Sequence, residues 1–253
     1  MEPEAPQVNL HNRHFELERS ITHSRIPLPN LSVIIPTLNE TSQLDQCLKP
    51  LSGLVGEIII ADGGSSDGTI HIAKSHGCKF IVAPRGRGQQ LRAGAAVATK
   101  PWFLFLHADT ILDDRWSQTV SQFIMVSQNR RKAAAFQYQN DLTGLSAWLL
   151  EKLVMVRSNL GLVYGDQGML IESSYYTQLG GYRELEIMED INFCQRIGRR
   201  NIVVLRAFAL TSGRRYKRTG VLLRAVRNMM CLCLYFIGVP IETIKRLYET
   251  GPS

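Results

Sequence analysis

Three short, continuously apolar runs each end at an acid-bearing loop. Ser32-Val33-Ile34-Ile35 leads into Pro36-Thr37-Leu38-Asn39-Glu40, Ile58-Ile59-Ile60-Ala61 into Asp62-Gly63-Gly64, and Trp102-Phe103-Leu104-Phe105-Leu106 into His107-Ala108-Asp109. A run without polar alternation suits a strand covered on both faces, as in a parallel sheet with helices on either side. Helix-like stretches lie between the runs: one reaching about Leu51, a short one closed by Gly77, and an alanine-rich one opened by Pro84-Arg85-Gly86-Arg87-Gly88. Such alternation predicts right-handed crossovers and a ligand site at the carboxyl edge of the sheet. On an extended backbone His107 and Asp109 project to one side and face a cation or a phosphate together, while Ala108 points away.

The second half is less regular. It reads as a helix from Trp116 to about Ser127, a strand over Ala133 to Gln139, a helix from Leu145 to about Asn159 and a strand over Met169 to Glu172. A helix beginning near Glu189 and a strand at Ile202 to Leu205 complete the body. Residues 1–30 end in Pro27-Leu28-Pro29-Asn30 and are expected to form a tail or strap. The apolar run from Met229 to Ile237 is interrupted by Gly238 and Pro240, and falls short of the roughly 20 residues of a membrane span. The expected organisation is one domain over 31–218, with a C-terminal helical extension over 219–253 that offers a peripheral membrane contact or a homodimer contact.

A chain of 253 residues with 45% hydrophobic content supports a large core. Its net charge of +7 points to an anionic partner, and from Arg196 to Arg227 there are ten basic residues and no Asp or Glu. No zinc-finger spacing, basic zipper or aromatic RNA-binding signature accompanies them, so nucleic acid is not the expected partner. The five cysteines are odd in number and scattered through apolar segments, which fits a reducing compartment. No basic start followed by an apolar stretch opens the sequence, and a cytoplasmic location is expected, with peripheral membrane contact left open.

The loops narrow the chemistry. Neither G-x-x-x-x-G-K-[ST] nor a G-x-G-x-x-G after the first strand occurs, which argues against a P-loop enzyme or a dehydrogenase. A lone Asp in such a loop is ordinarily a turn or cap residue. Carboxylates gathered at one sheet edge can instead accept from ribose hydroxyls or a base N–H. Arg85 and Arg87, flanked by glycine, offer fixed charge and a fork of donors to phosphate oxygens.

At these residues the sequence resembles the family 2 glycosyltransferases, from Leu31 to about Tyr248. Within that family it looks most like a cytosolic subgroup associated with radical-SAM proteins, on Pro84-Arg85-Gly86-Arg87, Leu106-His107-Ala108-Asp109-Thr110, Tyr164-Gly165-Asp166-Gln167, Met188-Glu189-Asp190, Ser212-Gly213-Arg214-Arg215-Tyr216 and Gly238-Val239-Pro240. The resemblance implies a GT-A fold: a Rossmann-like, mostly parallel central sheet flanked by helices, with the C-terminal helical extension. It also implies inverting, metal-dependent transfer of a sugar from a nucleotide diphosphate donor, UDP-linked, to an acceptor hydroxyl the sequence does not name. By the family pattern Pro36, Thr37, Glu40 and Asp62 border the nucleoside, although Gly63 stands where many relatives carry a second acid. Asp109 inherits binding of Mn2+ or Mg2+, while His107 is open to metal, ribose or loop orientation. Asp166 and Gln167 lie beside the pocket, and Arg214, Arg215 and Tyr216 meet the diphosphate. Asp190 is the general base, with Glu189 as the alternative. A non-catalytic nucleotide-sugar-binding or membrane-associated module is the competing reading, followed by a nucleotidylyltransferase.

Overall fold

The computed structural model describes residues 25–142, 145–212 and 221–249. The first half alternates as expected: β1 (Leu28–Thr37), α1 (Thr41–Leu48), β2 (Val55–Asp62), α2 (Thr69–Ser75), β3 (Lys79–Val82), α3 (Arg87–Val97) and β4 (Trp102–Phe105). Then come β5 (Thr110–Leu112), α4 (Trp116–Met125), β6 (Ala133–Asn140), α5 (Leu145–Asn159), β7 (Met169–Glu172), α6 (Ser173–Gln178), α7 (Glu189–Ile197) and β8 (Ile202–Thr211). Helices α8 (Val221–Phe236) and α9 (Ile241–Glu249) follow.

The eight strands form one sheet in the order β3-β2-β1-β4-β7-β6-β8-β5. The apolar runs account for its centre. Leu31, Val33, Ile35, Ile58, Ile60 and Leu104 pack on one side with α1 and Trp116 of α4, whereas Ile34, Ile59, Phe103 and Phe105 pack on the other with Leu91 of α3 and Phe193 of α7. Both faces of the central strands are therefore dry, as the unbroken runs require. Strands β1, β2, β3 and β4 are mutually parallel, and β6 pairs parallel with β8. Strand β7 runs antiparallel to both β4 and β6, so the sheet is mostly parallel, as expected.

Strand β5 and the short helix α6 escaped the sequence reading. Strand β5 pairs antiparallel with β8, and this pairing extends β8 to Thr211, six residues beyond the expected end. It also draws the end of β8 to the acid loop: Ser212 N donates to the Asp109 carbonyl at 3.2 Å, and the Thr211 hydroxyl donates to the Asp166 carbonyl at 2.9 Å.

Candidate active site

The carboxyl ends of β1 and β4, the start of α3, the loop before β7, the start of α7 and helices α8 and α9 enclose a cleft of about 390 Å3. Pro36, Thr37 and Glu40 come from the first loop, Arg85 and Arg87 from the head of α3, and His107 and Asp109 from beyond β4. Asp166, Glu189 and Asp190 complete the wall. The segments that carry Pro36, Arg85, His107, Asp109, Asp166 and Asp190 thus meet in one place, whereas Asp62, Gln167 and Gly238-Val239-Pro240 do not line it. Arg214, Arg215 and Tyr216 lie outside the described residues.

Asp190 is the most constrained of these groups. It stands in the first turn of α7, whose Ile191, Cys194 and Ile197 are buried on one face, as their spacing predicts. Met188 enters the helix at φ 61°, ψ 14°, a left-handed conformation that non-glycine residues seldom adopt. The Asp190 side chain accepts from Gly165 N at 2.8 Å and from the Tyr182 hydroxyl at 3.3 Å. A carboxylate has about four acceptor positions, so capacity remains for a hydroxyl arriving from the cleft. Burial, then the neighbouring Glu189 charge, pushes its pKa up to about 7, against the pull of Arg87 and the two hydrogen bonds. Glu189 is also buried, but Arg87 Nη1 holds its Oε1 at 3.4 Å.

The loop before β7 is fixed from beneath. Arg157 of α5 stacks over the Tyr164 ring at 3.4 Å and donates to Gln167 Oε1 at 3.0 Å. The Gln167 amide also donates to the Phe136 carbonyl at 3.0 Å, and only 1% of the residue is exposed. Gln167 is thus not a wall of the cleft, contrary to the expectation; its amide is taken up in holding the loop. Asp166 does face the cleft. Burial raises its pKa to about 6, opposed by Arg157 and reinforced by Asp190 and Asp109.

The two remaining acid motifs need correction. Beyond Phe105 the backbone leaves the strand, and a turn closed by Thr110 N to the His107 carbonyl at 3.2 Å replaces the extended geometry assumed for His107 and Asp109. The His107 ring packs against Gly165 so closely that a Cβ there would run into Nε2. A metal contact through Nε2 would need that loop to move, whereas Asp109 lines the cleft. No group of three or more His, Cys, Asp or Glu suited to a metal occurs among the described residues. One carboxylate still fits Mg2+ or Mn2+ when phosphate oxygens and water supply the other positions.

Asp62 is 3% exposed, and its oxygens accept from Thr37 Oγ1 at 2.8 Å, Gly64 N at 2.9 Å, Ser65 N at 2.7 Å and Ser65 Oγ at 2.5 Å. Burial alone would raise its pKa, but these bonds outweigh it and hold the carboxyl below its usual range. Its acceptor capacity is filled by its own loop and by Thr37 at the end of β1, the organiser's part that a turn Asp plays. Sequence reasoning missed Gln90, whose buried amide donates to the Thr37 and Ala61 carbonyls at 2.7 and 2.8 Å. It also missed Tyr182, and the cleft-lining Arg224, Asn228 and Tyr248 of α8 and α9. Of these, only Tyr248 stood at the edge of the stretch that carries the resemblance.

Residues 32–148 match the family model described as Glycosyl transferase family 2. That match covers a little under half of the chain. An uncharacterised glycosyltransferase of Rickettsia typhi is 29% identical over 111 residues, which is 44% of this chain and 38% of that protein. A PGL/p-HBAD biosynthesis glycosyltransferase of Mycobacterium bovis is 35% identical over 94 residues, 33% of this chain and 37% of that one. The matches thus span less than two fifths of these relatives' length. In solved structures the fold recurs over most of the chain. Glucosyl-3-phosphoglycerate synthase from Mycobacterium tuberculosis, in complex with Mn2+, UDP-glucose and phosphoglyceric acid, superposes with a TM-score of 0.56 at 20% identity, covering 94% of this chain and 86% of that one. S. aureus TarS 1–349 in complex with UDP-GlcNAc gives 0.57 at 15% identity, covering 87% and 70%. The mixed sheet is accordingly of the GT-A type of fold.

Proposed function

We propose that the protein is an inverting, metal-dependent glycosyltransferase of the radical-SAM-associated subgroup, moving a sugar from a UDP-linked donor to an acceptor hydroxyl. The observation that carries this reading is the buried Asp190 carboxylate, held by Gly165 and Tyr182 on the wall that also bears Asp109, Arg85 and Arg87. The UDP, UDP-sugar and Mn2+ bound by proteins of the same fold support the donor and metal classes.

In this reading Asp190 takes the acceptor hydroxyl proton while the acceptor oxygen bonds to the anomeric carbon, on the face opposite the diphosphate. The bond from that carbon to the phosphate oxygen breaks, and its electron pair leaves with UDP. Arg85 and Arg87 place fixed positive charge where the leaving group gains negative charge. Asp109 would hold Mn2+ or Mg2+, which would lend further positive charge to the departing diphosphate. Thr37 and Glu40 border the nucleoside, and Asp166 lies toward the sugar or acceptor.

A nucleotide-sugar-binding module without turnover is the second reading, favoured by His107 standing two residues before Asp109 where the family usually carries a first acid. A panel of nucleotide sugars with Mn2+ or Mg2+ separates the two. Transfer or slow donor hydrolysis supports the enzyme, whereas stabilisation by UDP-sugars with no release of UDP under any condition favours the module.

A further inference from the structure

Helices α5 and α8 turn their apolar sides outward. On α5, Trp148, Leu149, Leu153, Met155 and Val156 are exposed, as is Leu160 just beyond it, while Arg157 and Ser158 point inward to the loop before β7. On α8, Leu223, Val226, Met229 and Met230 recur at intervals of three and four residues on the exposed side, with Phe236 two turns beyond Met229, and Arg224, Asn228 and Cys231 are turned to the cleft. The two helices adjoin, since Ala225 of α8 packs on the cluster of Tyr138, Leu150 and Val154. Their outer sides therefore form one apolar face, with Val156 55% and Val226 58% exposed. A soluble surface rarely leaves so large an apolar patch uncovered unless something docks there.

Charge selects the occupant. Helix α8 contains no Asp or Glu, and the single acid of α5, Glu151, accepts from the backbone and side chain of Asn140 at 3.1 Å. Lys152 is exposed with its ammonium over the Trp148 ring at 5.7 Å. Exposed Arg199 donates to the carbonyl of Asn159, the last residue of α5, at 2.9 Å. The rim of the face is thus cationic in a chain of net charge +7. A two-fold dimer through this face would bring like charges together, because both copies present the same patch. Anionic headgroups are complementary to it. No helix among the described residues is long and apolar enough to cross a membrane, so a bilayer would be met from its surface.

We propose that α5 and α8 form a docking face that seats the protein on an anionic lipid bilayer. The apolar side chains enter the headgroup boundary, and Lys152 and Arg199 meet lipid phosphates. The face is independent of the transfer chemistry, since none of its outward residues lines the cleft.

Flotation of the full chain with phosphatidylcholine vesicles, with and without phosphatidylglycerol, tests it. The wild-type chain is expected to float with the anionic vesicles, less so at high salt. The Val156→Glu/Val226→Glu variant, changed only at exposed positions, is expected to partition at least about tenfold more weakly with an unaltered thermal melt. The Lys152→Glu/Arg199→Glu variant, which leaves the apolar side chains in place, is expected to lose the preference for anionic vesicles. Wild-type protein that stays in the aqueous phase, or variants that float as well as wild type, would overturn the proposal. So would a wild-type dimer by light scattering that becomes monomeric in the valine variant without any vesicle binding.

Discussion

Replacing Asp190 with Asn should abolish transfer while making the protein more stable at neutral pH. The carboxyl is buried beside Glu189, and its pKa rises from 3.8 to about 7 on folding. The folded chain therefore binds this proton more strongly than the unfolded chain does. Its contribution is fully present below the unfolded pKa and is lost as pH climbs through about 7. That rise, at about 1.4 kcal/mol for each tenfold in proton affinity, corresponds to a stability loss on the order of 4 kcal/mol between pH 4 and pH 8. Asn keeps the shape and an acceptor for Gly165 N, carries no charge, and leaves Arg87 paired with Glu189 alone. Urea melts of both proteins from pH 5 to pH 8 should show the variant gaining on wild type as pH rises, while its transfer rate falls by about 10²- to 10⁴-fold. Wild-type transfer should rise with pH through neutrality, because only the ionised carboxylate accepts a proton. Parallel pH dependence of stability in the two proteins would refute the electrostatic reasoning, and near-normal turnover by the variant would remove Asp190 as the base.

Other substitutions separate support from chemistry. Gln90→Leu removes the buried amide from the Thr37 and Ala61 carbonyls and should cost about 1–2 kcal/mol in urea melts, with no change contradicting its role as a tie between β1 and β2. Gly165→Ala drives a Cβ into the His107 ring and displaces the N–H that Asp190 accepts, so transfer should fall at least about tenfold with UDP binding by calorimetry retained; unaltered transfer would show the packing to be immaterial. Asp62→Ala should weaken UDP and GDP binding to a similar degree, because Asp62 organises its loop; a selective loss of one base would mean that it reads the base directly.

The parts of this molecule that were legible in the sequence are those set by local pattern. Unbroken apolar runs fixed the central strands, and the three-and-four spacing of Ile191, Cys194 and Ile197 fixed the buried side of α7. The site residues that converge on the cleft sat at strand ends and helix starts, where topology puts ligands whatever the loop details. What stayed hidden depends on long-range pairing. Nothing in Thr110-Ile111-Leu112 announces that it pairs with the end of β8, directly after the turn at His107. Likewise Gln90 looks like any helix glutamine until its amide is seen between two strand ends. Asp62 and Gln167 show the opposite error: their motif positions suggested ligand contact, whereas their hydrogen bonds are filled within the fold.

The most direct measurement is UDP release from a panel of UDP-sugars with Mn2+ by wild-type protein and by Asp190→Asn, with UDP affinity measured in parallel. The account predicts release by the wild type with at least one donor, and its loss in the variant at an essentially unchanged UDP affinity. Tight UDP-sugar binding with no release by the wild type, or equal release by both proteins, would contradict it.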